Sequence, residues 1–484
     1  MSFLNYAPAM ESTDSLTLAE RYGQFLDGDF VAGTGRPTPT ISPATEEPIT
    51  TVVAGTPADV DTAVSAARAA FDATWSTTPG EVRARYLFRI AGLVQERGRE
   101  LAVAESLNSG RPIRASRADD IPLAAASFFY HAGWADKLEY AGLGEQPRPL
   151  GVVGHVLPWT SPLLALAMRL APALAAGNTV VVNPAETTPL TALLFAEILQ
   201  QAELPPGVVN IVTGGQDVRE SLAAHPGLDM VSFTGPSSEG RTVARAAAGT
   251  HKRLALELGG TTATIVFDDA PLDEAIEGIV AGAFATPGHV ASGGARLLVQ
   301  ENVHDDVIER LRHRMTTLRL GDPLDHNTDI GPVHSAAQLA HLTQLCRSGE
   351  AQGATRWSPP GELPQRGFWF PPTLLTGATP SHGIARAEAC VPVLGALTFR
   401  TPAEAIALAN NSRHGAAAAV WTSKGSRAAA VARQLRAGVV WINTVDKVDP
   451  AAPFGGYKES GYGRQGGRHG LLTYLQSATA GSPR

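Results

Sequence analysis

Cysteine is nearly missing: Cys346 and Cys390 are the two in 484 residues, too few for a disulfide framework, so a reducing compartment is expected. No uninterrupted apolar stretch reaches the ~20 residues a helix needs to span a bilayer, and no membrane partner is expected. Met1 to Glu20 has no basic segment followed by an apolar core, so no secretory signal is expected and the cytoplasm is the expected location. Charge is also scarce. Charged residues make up 18% and the net charge is −7, which gives no electrostatic case for a nucleic-acid partner. Low-complexity blocks and short internal repeats are absent, and no metal is expected.

Hydrophobic residues supply 44% of the chain, and its length is enough for two cores. Abundant Ala, Gly and Arg point to a GC-rich bacterial source. Gln24 to Ala32 alternates apolar and polar residues and then meets Gly33 and Gly35, the pattern of a hairpin edge. Val60, Ala63, Val64, Ala67 and Phe71 have helical spacing, and Val82 to Asn108 continues as one or two amphipathic helices. From Gly151 strand-like and helix-like runs alternate. Strands at Gly151–Trp159, Thr179–Val182, Val208–Val212 and Met230–Phe233 are separated by helices at Leu163–Ala176, Thr188–Ala202 and Val218–Ala224. This is the signature of parallel βαβ units, which bind ligands beyond the carboxyl ends of their strands. A second α/β unit follows Gly260, with strands at Ala263–Phe267, Leu297–Gln300, Ala396–Phe399 and Ala417–Trp421 and helices at Leu272–Phe284 and His304–Leu318.

Three stretches carry chemistry. Leu256-Glu257-Leu258-Gly259-Gly260 places an acid on a strand end before a Gly pair, where it can act as a general base. Thr286-Pro287-Gly288-His289-Val290-Ala291-Ser292-Gly293-Gly294-Ala295-Arg296 has glycines that let backbone amides approach a ligand. The third is Pro453-Phe454-Gly455-Gly456-Tyr457-Lys458-Glu459-Ser460-Gly461-Tyr462-Gly463-Arg464. Together they resemble the aldehyde dehydrogenase superfamily, collinearly over nearly the whole chain. The resemblance implies two Rossmann-like parallel α/β domains, a dinucleotide-binding one (1–126 and 150–259) and a catalytic-type one (260–467). It also implies a reduced oligomerisation hairpin and tail (127–149 and 468–484). The shortened segments leave a homodimer as the expected state, with a monomer as the alternative.

Where the resemblance implies Gly-Gln-x-Cys, this chain has Gly288, His289, Val290 and Ala291. Alanine has no lone pair, so the family's covalent capture of an aldehyde cannot run from Ala291. The oxyanion asparagine is matched by Thr160, and the family's Lys-Ser-Pro after the Gly pair by Thr261-Thr262-Ala263. Glu257 is kept, either as an acid/base or for a structural hydrogen bond. His289 is a titratable newcomer able to donate a proton, or a structural loop histidine. Ser292 is a poor substitute nucleophile. Cys390, where relatives carry a Phe, is either a relocated thiol or a small filler.

On the cofactor side the resemblance implies contacts from Trp159, Asn183, Glu186, Phe233, Thr234, Gly235, Gly240, Gly259 and Glu388. Asn183 replaces the ribose-binding lysine and brings no charge for a 2′-phosphate, which favours NAD over NADP. Pro236 replaces a serine of the phosphate turn. Glu388 matches the acid that holds the nicotinamide ribose, and its alternative is a solvated loop acid. Trp159 has a core role as its alternative, and Gly240 helix packing. Trp441, Thr444 and Val445 are candidates for the wall of the substrate tunnel.

Three functions are compatible with this pattern. The first is an NAD(P)-dependent oxidoreductase without a thiol, moving hydride to or from an imine or carbonyl carbon of a small molecule, with Glu257 or His289 as proton donor. The second is a catalytically silent binding or scaffold protein. The third is aldehyde oxidation through another residue such as Cys390.

Overall fold

A computed structural model describes residues 7–143, 147–284, 294–388 and 392–477. Two large sheets carry the fold among these residues. The first has the spatial order Gly461–Tyr462, Arg253–Leu258, Met230–Gly235, Val152–Val156, Thr179–Asn183, Val209–Ile211, Gln24–Leu26, Asp29–Val31. Its central five strands are parallel. Val152–Val156 and Thr179–Asn183 are buried along their whole length, as a near-continuous β-branched run must be when helices cover both faces. The strand order reverses between Val152–Val156 and Met230–Gly235, and such a switch point opens a crevice for a ligand.

The second sheet has the order Thr355–Trp357, Thr373–Thr376, Val393–Phe399, Gly294–Gln300, Thr262–Val266, Ala417–Trp421, Val439–Ile442, parallel apart from its first strand. Both sheets match the parallel α/β architecture expected from the alternation of runs.

The helices follow local rules. Pro57–Ala73 starts with a capping box, Thr56 with Asp59, and a Pro in its first turn, and it buries Val60, Ala63, Val64 and Ala67. The run from Val82 to Asn108 forms two helices, Gly80–Glu96 and Gly98–Ser109, packed on the first core. The hairpin expected at Gln24–Ala32 pairs Gln24–Leu26 with Asp29–Val31 around Asp27 and Gly28, both at positive φ.

One expectation is corrected. The strand expected to run to Trp159 ends at Val156, because Pro158 has no N–H to donate and the chain turns away from the sheet. Gly461–Tyr462 pairs antiparallel with Arg253–Leu258 and forms the outer edge of the first sheet, and Leu471, Tyr474 and Leu475 join the first core. Pro147–Pro149 and Leu475–Ser477 pair antiparallel in a two-stranded ribbon. No helix among the described residues is long and apolar enough to cross a membrane.

Candidate functional site

Three adjacent strands of the first sheet end at one cleft. Met230–Gly235 leads to Ser237, Val152–Val156 to Trp159, and Arg253–Leu258 carries Glu257 as its penultimate residue. Each is met by a residue from the second half of the chain: Glu388, His334 and Gln465. The cleft therefore lies where parallel sheets hold ligands.

Glu257 is held by one oxygen. Its Oε2 accepts from Arg169 Nη2 at 2.5 Å, from Gln465 Nε2 at 2.5 Å and from Thr234 Oγ1 at 3.3 Å. Arg169 lies on the helix Pro162–Ala175. It also donates to the Ala165 carbonyl and to Thr234 Oγ1, and its side chain is only 3% exposed against 14% for Glu257. The carboxylate is thus half of a buried ion pair. The second oxygen, Oε1, has no hydrogen bond among the described residues.

Glu388 crosses the cleft to the start of the helix Ser237–Ala247, where its Oε1 accepts the Ser237 N–H at 2.7 Å. Gly259 makes room for it: a Cβ at that position would stand 2.2 Å from Glu388 Oε1. His414 Nε2 lies 4.0 Å from the other carboxylate oxygen, and burial holds the His414 imidazole below its ordinary range despite Glu388. Gly240 has a packing role on this helix, since a Cβ there would meet Leu258 Cδ2 at 2.3 Å. Phe233 is buried beneath the turn, its ring 2.7 Å from a Cβ built on Gly235.

Trp159 stacks on His334, with ring centroids 3.8 Å apart and planes 8° apart. His334 Nδ1 meets Gln338 Oε1 at 2.5 Å, and burial pushes its pKa down to about 4. A histidine depressed in the folded state costs stability as pH falls from about 6.5 to about 4, because the unfolded chain then binds the extra proton. His334→Phe keeps a ring on Trp159 and removes that proton. The urea midpoints of variant and wild type should accordingly diverge in the variant's favour between pH 7 and pH 4.5, and parallel curves would refute the assignment.

Thr160 is half-buried at the turn after Trp159. The next residue, Ser161, has φ 38° and ψ 61° and opens the helix Pro162–Ala175. This left-handed conformation is costly for a residue with a Cβ. It is supported from below, where Asp120 bonds the Ser161 side chain and Glu105 Oε2 accepts the Leu163 N–H at 3.2 Å.

Asn183 is buried, and its Nδ2 donates to the Val212 carbonyl at 2.9 Å and the Gly214 carbonyl at 3.2 Å. Both amide hydrogens are spent on the backbone, so Asn183 cannot donate to a ribose hydroxyl. The amide here ties Thr179–Asn183 to the loop after Val209–Ile211. Glu186 is exposed and lies over the start of the helix Gln216–Ala224, with Oε2 2.5 Å from a Cβ built on Gly215. It lines a small cleft with Thr38, Thr40, Thr213 and Gly214.

His289 and Ala291, with Gly288, Ser292 and Cys390, lie outside the described residues. Trp441 and Val445 line a second small cavity with Thr262, Thr264 and Asp446. Thr444 is not part of its wall. Among the described residues no group of three or more His, Cys, Asp or Glu side chains could hold a metal ion.

Residues 30–480 match the model of the aldehyde dehydrogenase family. The chain belongs to the aldehyde dehydrogenase family. It is 37% identical over 468 residues to an aldehyde dehydrogenase from Alternaria alternata, covering 94% of each chain. It is 38% identical to aldehyde dehydrogenase 1 of Tanacetum cinerariifolium, covering 95% of this chain and 94% of that one. Among solved structures it resembles an NAD-dependent aldehyde dehydrogenase from Sinorhizobium meliloti, with TM-score 0.91, 39% identity and coverage of 94% and 93%. A betaine aldehyde dehydrogenase from Staphylococcus aureus in complex with NAD+ matches at TM-score 0.91 and 35% identity, covering 95% and 93%.

Within this aldehyde dehydrogenase fold, sequence reasoning overlooked three residues of the cleft. Arg169 was visible as the single charge in the apolar helix Pro162–Ala175, which asks for a buried partner. Gln465 follows directly on the Gly463-Arg464 end of a motif already singled out. For His334 no local signal exists, since its only mark is a stack on Trp159 across 175 positions of chain (334 − 159).

Proposed function

We propose that this chain is a nicotinamide-dependent oxidoreductase of the aldehyde dehydrogenase family that works without covalent capture, on a carbon already electrophilic, such as that of an imine or a free carbonyl. The observation that carries the reading is the anion seat at the start of Ser237–Ala247. The Ser237 N–H already holds a carboxylate there, at a helix N-terminus beside the sheet's switch point, where a pyrophosphate is favoured. The buried Ser237 hydroxyl has no hydrogen-bond partner among the described residues, a second donor left for such a group. NAD+ bound in relatives of the same fold supports the choice of cofactor. NAD is preferred to NADP because neither Asn183 nor Glu186 brings positive charge for a 2′-phosphate.

When bound, the nicotinamide would supply or accept hydride. The chain's own part is to position and to handle protons. Thr160, on the turn held by Ser161 and Asp120, offers one hydroxyl to the substrate heteroatom. Glu257 Oε2 already accepts three hydrogen bonds, and the residue serves as a fixed charge on the cleft floor. Proton supply falls to His289, imidazole being the side-chain type suited to giving and taking a proton near neutral pH. With alanine at 291 no side chain at that position can bond covalently to the substrate carbon, which gains or loses only hydride, so a thioester and its hydrolysis do not arise there.

One observation favours a second reading, a binding protein without turnover: Asn183 and Glu257 are both committed to internal bonds. Titration with NADH and NADPH, followed by nicotinamide fluorescence, separates the readings. Saturable binding, tighter for NADH, is the expected result. Turnover screening on imines and carbonyls then follows, with activity lost in His289→Ala and kept in part in Glu257→Gln. Absence of binding at millimolar cofactor would overturn the redox reading.

A further inference from the structure

The helix Ser237–Ala247 begins after Pro236, which has neither an N–H nor a side chain able to cap it. The Ser237 amide is therefore the helix's first donor, and it is filled by a carboxylate 151 positions away, Glu388 Oε1 at 2.7 Å. Three details make this a seat rather than a chance contact. The carboxylate lies flat against Gly259, where any side chain would collide with it. Ser237 is 3% exposed and its hydroxyl is unpartnered among the described residues, a buried donor beside the amide whose hydrogen bond is still to be made. The seat holds Glu388 lightly: His414 Nε2 is 4.0 Å away, without a hydrogen bond, and the Glu388 side chain is 27% exposed, which leaves it a way out.

We infer that Glu388 is a built-in competitor for the cofactor's pyrophosphate: in the ligand-free protein its carboxylate occupies the anion position on Ser237–Ala247, and a phosphate-bearing ligand binds by displacing it. This rests on the cofactor reading above. A carboxylate and a phosphate are both acceptors and both negative, and one N–H cannot serve the two at 2.7 Å without their repelling each other. Once displaced, the carboxylate is released into the cleft, where it can accept a ribose hydroxyl. The contact thus couples loss of the internal cap to closure on a complete dinucleotide. A ligand that has the phosphates and lacks the second ribose bears the cost of displacement and gets nothing back.

Calorimetric titration of the full chain with ADP and with adenosine tests this, using wild type, Glu388→Ala and Glu388→Gln. ADP should bind Glu388→Ala roughly 3- to 10-fold more tightly than wild type, the range set by an anion at a helix N-terminus and a charge-assisted hydrogen bond. Glu388→Gln, which keeps the shape and an acceptor but not the charge, should fall between them and serves if the alanine variant folds poorly. Adenosine, with no phosphate, should bind all three alike. Equal ADP affinity in all three proteins, with NADH still bound by wild type, would overturn the competitor and leave the cofactor reading standing. Lowered thermal stability in Glu388→Ala without tighter ADP would reduce Glu388 to a helix cap and also overturn it. Failure of every protein to bind ADP or NADH would overturn both.

Discussion

Arg169→Met is expected to destabilise the protein by about 3–5 kcal/mol, the cost of leaving one member of a buried ion pair without its partner. The exposures justify the full figure, since at 3% and 14% neither side chain is screened by solvent. Methionine fills the aliphatic volume but leaves the Glu257 carboxylate with only Gln465 and Thr234. The double variant Arg169→Met, Glu257→Gln removes both charges and should recover most of the loss, because two neutral side chains have no desolvation penalty to offset. Arg169→Lys should fall between, since an ammonium can meet Glu257 but cannot also span the Ala165 carbonyl and Thr234 as the planar guanidinium does. Urea midpoints of wild type, Arg169→Met, Glu257→Gln and the double variant make the double-mutant cycle. A double variant as unstable as Arg169→Met would show that the arginine acts through packing alone.

The same pair shows what a sequence can and cannot disclose. Val152–Val156 and Thr179–Asn183 were legible because burial on both faces demands a continuous apolar run, and Pro57–Ala73 because caps and spacing are local. Glu257 was legible as an acid on a strand end before two glycines. What it touches was not: Arg169 is 88 positions away and Gln465 is 208, and periodicity carries no information on pairs so distant. The bonds of Asn183 were hidden for a different reason. Its position in the chain is that of the family's lysine, but a short amide reaches only the carbonyls of Val212 and Gly214, and burial requires those bonds to be made. Side-chain length, combined with the loop that packs over it, decided the role. Glu388 was read as a cofactor acid by resemblance, whereas its partner in the structure, the Ser237 amide at the start of Ser237–Ala247, follows only from the folded cleft.

Glu105→Gln is expected to raise stability at alkaline pH and to flatten its pH dependence. Glu105 is fully buried beneath the Thr160–Ser161 turn, and burial, then the charge of Asp120, push its pKa up to about 8. Asp120 is buried as well and raised by burial, although Arg111 donates to it at 2.9 Å and opposes that rise. Because the folded pKa of Glu105 stands above its unfolded value of 4.5, the native state binds the extra proton in between. Stability attributable to this group is whole below pH 4.5 and is lost as pH rises towards 8. Glutamine imitates the protonated acid at every pH, with a carbonyl for the Leu163 N–H and an amide hydrogen for Asp120. Its advantage over wild type should be small at pH 5 and reach roughly 3–5 kcal/mol at pH 8.5, the scale set by a shift of a few units in a buried site. Urea unfolding at the two pH values reads the difference directly, and a variant that parallels wild type would show that Glu105 does not carry the proton. The effect bears on the cleft through geometry: the acid pair supports Ser161, the neighbour of Thr160, in its left-handed conformation. A Glu105→Gln protein that gains stability and keeps cofactor binding at high pH would place the pH sensitivity of the site in this buried pair rather than in the cleft.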